Sequence, residues 1–182
     1  AVALGYLKLG VEHILTGWDH LVFLAGLLLV TRSLRAIAAV VTGFTVAHSI
    51  TLTLAALGWV SVPSSLVEPA IAASIAFVGI ENGFDPPVNR RFALTAALGL
   101  IHGLGFAGAL ADVGLPAGQV PLALATFNLG VELGQFGVVL AALPLLLAAR
   151  RASWGPAAVR VGSWAIAALG LYWFVDRTIL TL

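Results

Sequence analysis

The chain has 182 residues, of which 60% are hydrophobic and only 9% charged, a balance that excludes an ordinary soluble domain and points to the membrane class. A net charge of +1, with no basic patch interleaved with aromatics, excludes nucleic acid as a partner. The absence of cysteine excludes disulfides, thiolate metal sites and cysteine nucleophiles, and the absence of methionine, even at position 1, predicts a processed or trimmed form that has lost a leading segment.

About 20 apolar residues cross ~30 Å of hydrocarbon, and six such stretches predict an all-α integral membrane protein. They cover residues 11–30, 37–57, 66–83, 93–111, 122–148 and 159–175, one transmembrane domain spanning 1–182. The connections are short and carry breakers: Pro63, Pro86 with Pro87, Pro116 and Pro156. Arginines concentrate in the first, third and fifth connections as Arg32 with Arg35, Arg90 with Arg91, and Arg150 with Arg151. The positive-inside rule therefore predicts that these connections are cytoplasmic and that both termini face outward.

All four histidines, and Glu12, Asp19, Glu68, Glu81 and Glu132, fall in or at the edge of these stretches. An ionisable group in hydrocarbon costs roughly 2.5 to 3.5 kcal/mol on insertion scales, so it faces a protein interior and has a function by default. Imidazoles and acids with no buried base predict a cavity suited to a cation.

The first stretch carries His13-x5-Asp19-His20. On a straight helix the two histidines share a face about 10 Å apart along the axis, too far for one ion. They can share an ion only if the helix opens, for which Gly17 between them is a place; otherwise the two histidines serve successive sites. Asp19 is turned about 100° from His20 and could either orient another ligand or bind from a neighbouring angle.

In the second stretch His48 stands among hydroxyls that include Thr45, Ser49 and Thr51. Membrane-helix hydroxyls usually bond back to the preceding turn, which makes His48 the stronger ligand candidate and Ser49 a supporting one. Glu68, before Pro69, reads either as a helix cap or as a charge that guides ions in, and Glu81 with Asn82 places polar groups near the inner face.

His102 follows in the fourth stretch, beside Gly99, Gly103, Gly105, Ala107 and Gly108, small residues that allow close helix packing. The fifth carries Asn128, Glu132 and Gln135 on one face. At 1.5 Å per residue, His20, His48, His102 and Glu132 come to similar depth near the midplane, whereas His13, Glu12 and Glu68 fall nearer the outer face. The spacing of His20 and His48 is echoed faintly by that of His102 and Glu132, as an inverted repeat would require.

The runs Glu12 to Leu24, Phe44 to Leu52, Glu81-Asn82, Gly99 to Ala107 and Phe127 to Gln135 together resemble the HupE/UreJ family of hydrogenase and urease accessory membrane proteins. The resemblance covers five of the six stretches and leaves the last without a distinctive match. It implies nickel permeation in a bacterial inner membrane, with His13, Asp19 and His20 as the motif of the first helix.

Imidazole and carboxylate without sulfur suit nickel, cobalt or zinc as the divalent ion. The predicted metal ligands are His13, Asp19, His20, His48, His102 and Glu132. Glu12, Glu68, Glu81, Asn82, Asn128, Gln135 and Ser49 are assigned to the pathway or to ligand support. The leading function is a metal-ion permease in contact with lipid, and a homo-oligomer is compatible with it. The alternatives are an intramembrane zinc-dependent hydrolase, since three histidines can leave a position open for water, and a metal-binding accessory protein that moves nothing.

Overall fold

The computed structural model describes residues 2–31, 33–84, 88–106, 110, 114, 116 and 118–180. Arg32, Asp85, Pro86, Pro87, Ala107, Gly108 and Asp112 lie outside the described residues. The described chain is helical, in the order α1 (Val2–Thr16), α2 (Trp18–Val30), α3 (Leu34–Ala56), α4 (Ser64–Glu81), α5 (Val88–Gly105), α6 (Val120–Arg151) and α7 (Gly155–Val175). A short 3-10 turn (Asn82–Phe84) follows α4, and a π-helical turn (Asp176–Leu180) follows α7.

Local chemistry sets several of these ends. Ser33 caps α3 by accepting a hydrogen bond from the Ala36 amide at 3.1 Å, and Gly58 leaves α3 at a positive φ of 73° that a side chain would disfavour. Pro121 and Pro156 stand in the first turns of α6 and α7, where a missing N–H costs nothing. At the far end of α2 the Arg150 guanidinium donates to the carbonyls of Leu28 and Thr31 at 2.8 and 2.7 Å, which satisfies acceptors that the helix cannot.

Leu34–Ala56, Ser64–Phe84, Val120–Arg151 and Gly155–Ile179 are each long and apolar enough to cross a membrane, and α1 with α2 passes the same test only as a pair, bent by 70° at its break, which makes four spans, or five if the pair is counted as one. Helix α5 is not among them. It begins at Val88, earlier than the apolar stretch suggests, and its first turns contain Arg90 and Arg91. Large apolar side chains such as Leu4, Val46, Leu140, Leu145 and Leu171 cover the perimeter, as a lipid-facing surface requires.

Three close seams hold the bundle. In α1, a Cβ on Gly10 would collide with the Phe127 carbonyl of α6, and one on Gly130 would collide with the Leu7 carbonyl. Gly99 and Gly103 bring α5 onto the backbone of Phe44 and His48 in α3. Gly79 and Gly170 do the same for α4 and α7. Without a hydrophobic driving force between helices in lipid, such backbone contact supplies the packing that holds spans together. The α3·α5 seam sets Gly103, the residue after His102, against the His48 backbone.

One expectation is corrected here. The interior does contain a base: Arg91 is 2% exposed, stands 3.7 Å from Glu81 and donates to Asn82 Oδ1 at 2.7 Å. Asn82 in turn donates to the Gly26 carbonyl of α2 at 2.9 Å. Because α5 starts early, Arg91 falls within its first turns and its fork reaches the acid at the end of α4.

Candidate metal centre

The helix breaks between α1 and α2 at Gly17, whose ψ of 94° is extended rather than helical. A Cβ there would stand 2.7 Å from the His13 carbonyl and 2.9 Å from His20 Nδ1, so only glycine lets the chain turn with both imidazoles folded inward. The turn replaces the axial separation of a straight helix with ring contact. His13 and His20 have centroids 4.5 Å apart, and His48 of α3 lies 6.1 and 6.0 Å from them.

One ring nitrogen from each of His13, His20 and His48 can be chosen so that all three lie within 4.8 Å of one another. His102 of α5 joins through His20, with centroids 5.4 Å apart. Among the described residues, both ring nitrogens of His20 and of His48, Nε2 of His13 and Nδ1 of His102 are buried without a hydrogen-bond partner. Buried polar atoms are almost always satisfied, and this many orphans in one place mark a site built for something else. A cation could take one lone pair from each ring, which leaves the N–H of His20 and of His48 for an acceptor such as water.

The surroundings are aromatic. Phe106 lies 3.9 Å from His13, Phe44 stacks on His48 at 5.9 Å, and Phe23 lies 4.8 Å from His102. These three rings themselves offer no competing hydrogen-bond donors or acceptors.

Ser74 of α4 is a residue that spacing did not single out. Its Oγ donates to the Ile71 carbonyl at 2.7 Å and lies 2.9 Å from His102 Nε2. With its one proton spent on Ile71, Ser74 must accept from Nε2–H, which leaves the lone pair of His102 on Nδ1, the form a metal ligand needs.

The other predicted residues are distributed around the cluster. Asp19, next to His20, accepts two hydrogen bonds from Arg177 Nη2 at 2.9 and 3.1 Å. Glu132 accepts from Thr42 Oγ1 at 2.8 Å, and Gln135 accepts from Thr45 Oγ1 at 2.7 Å. Glu132 and Asn128 line an open groove of about 620 Å³ between α3 and α6, together with Thr45 and Ser49. The Asn128 amide approaches His48 without completing a hydrogen bond, so this face adjoins the cluster.

Ser49 donates back to the Thr45 carbonyl at 2.6 Å. Glu12 pairs with Lys8 at 3.5 Å on an exposed face. Glu68 is exposed and within α4 rather than at its cap, which is Pro63. Glu81 and Asn82 belong to the Arg91 clamp described above.

A bundle of apolar helices around three histidines that face one another, with His102 set against His20, defines a membrane protein with a candidate metal site. The family model for HupE / UreJ protein matches residues 1–177, essentially the whole chain, and the protein belongs to this family. No curated protein and no solved structure matches.

Proposed function

We propose that the protein is a permease for a divalent transition-metal ion, nickel first, with cobalt and zinc as the other candidates. The observation that carries this reading is the meeting of His13, His20 and His48 with orphaned nitrogens, and membership of the HupE/UreJ family favours nickel. His102 completes the proposed ligand set. Asp19 and Glu132 are proposed to act on the ion's way to and from it, with Asn128, Gln135 and Ser49 on the Glu132 side. Glu12 and Glu68 would draw cations to one end of the bundle, and Glu81 with Asn82 would line the other.

In this reading α5 is the sixth span. Arg35, Arg90, Arg91, Arg150 and Arg151 mark the cytoplasmic ends, and both termini lie outside. Conduction requires ligands that bind well enough to strip water and weakly enough to release. Neutral imidazoles in an apolar shell meet both conditions better than a cage of carboxylates would.

The test is uptake of Ni²⁺ into sealed proteoliposomes, with metal analysis of the purified protein. His20→Ala and His48→Ala should each remove metal occupancy and uptake while the protein still inserts. Unchanged binding and uptake in both variants would overturn the permease. Metal binding without flux would make it an accessory protein, and hydrolysis of a lipid or peptide by zinc-loaded protein would make it an intramembrane hydrolase.

A further inference from the structure

Asp19 lies one residue from the histidine cluster, yet its carboxylate is already taken. Arg177 Nη2 bonds both of its oxygens, at 2.9 and 3.1 Å, and Nη1 donates to the Glu68 carbonyl at 3.3 Å. The pair is only partly shielded, with side-chain exposures of 20% and 25%, so water and ions can reach it.

Arg177 is delivered by the π-helical turn Asp176–Leu180. Such wide turns re-aim side chains and are frequent at functional sites. The guanidinium also stands over the Trp173 ring at 5.5 Å, and that aromatic face can hold it if it leaves Asp19.

We infer that Arg177 is a tethered cation that closes the approach to the histidine cluster by occupying Asp19, and that an incoming divalent ion displaces it toward Trp173. The inference rests on the permease reading and adds to it the residue that sets the concentration at which ions enter. A purely structural staple between α2 and the end of α7 would also use this pair, but its loss would loosen the protein without tightening its hold on metal.

The experiment measures Ni²⁺ binding and uptake by the full chain in lipid nanodiscs and proteoliposomes. Arg177→Gln should lower the half-saturating Ni²⁺ concentration by about fivefold, the value of one partly exposed ion pair. Arg177→Lys, which keeps the charge but loses the fork, should fall between the two, and it serves as the readout if Arg177→Gln does not fold. In an Asp19→Asn background the Arg177→Gln shift should shrink below about twofold, because the two effects run through one contact.

Wild-type binding with an unchanged or weakened Arg177→Gln variant would overturn the inference and leave the permease standing. An equal shift in both backgrounds would also overturn it, since Asp19 would then play no part. Wild-type protein that neither binds nor moves metal would overturn the permease and this inference together.

Discussion

Gly17 decides whether one ion can see both His13 and His20. Any side chain there meets the His13 carbonyl and the His20 ring, so Gly17→Ala should push His20 aside and lower metal occupancy severely while the helices remain. Metal analysis beside an unchanged circular dichroism spectrum checks this. Ser74→Ala should cost about 10- to 100-fold in metal affinity, the usual price of losing a partner that fixes an imidazole, and titration calorimetry of the purified protein reads it. The histidines and the weak point at Gly17 were legible in the sequence because ionisable groups in apolar stretches are conspicuous. Ser74 was not, since most membrane serines bond back to their own helix and Ser74 does that as well. Depth along a straight helix set His13 apart, and only the break brings it in.

Among the elements, α5 was the hardest to place. Apolar runs locate the middle of a helix well, but its start depends on where charged residues find partners. Arg91 finds Glu81 and Asn82, so the helix extends past the apolar run to reach them. Removing one member of a buried pair leaves the other uncompensated, at a cost of about 3–5 kcal/mol. Arg91→Ala should therefore lower the thermal midpoint in detergent markedly, and Arg91→Ala with Glu81→Ala should recover part of the loss. A double variant no better than the single would show that the two residues act separately. The clamp joins the end of α4, the start of α5 and, through Asn82, the Gly26 carbonyl of α2.

At the scale of the molecule, the three glycine seams form a pattern. If the α1–α2 pair, α3 and α4 make one half and α5, α6 and α7 the other, exchanging the halves turns the α1·α6 seam into the α5·α3 seam and the α4·α7 seam into itself. That is the contact pattern of a two-fold relation, and three spans per half would invert the second half, as in transporters built from inverted repeats. The histidine spacing gave only a faint echo of this, because helix partners are set by packing rather than by order in the chain. The proposed orientation can be checked on a cysteine-free background. Leu34→Cys should resist a membrane-impermeant reagent added outside, Trp59→Cys should react, and the opposite result would reverse the topology.

The break at Gly17 also gives the first span leverage. One arm is fastened along α6 through Gly10 and Gly130, and the other is anchored at its far end by Arg150. His13 sits four residues from the joint, roughly 6 Å along the arm at 1.5 Å per residue. A swing of about 20° there would move it by roughly 2 Å, the length of a metal–imidazole bond. A small rotation between the two arms would thus be enough to make or break the hold of His13 on the proposed ion without unwinding any helix.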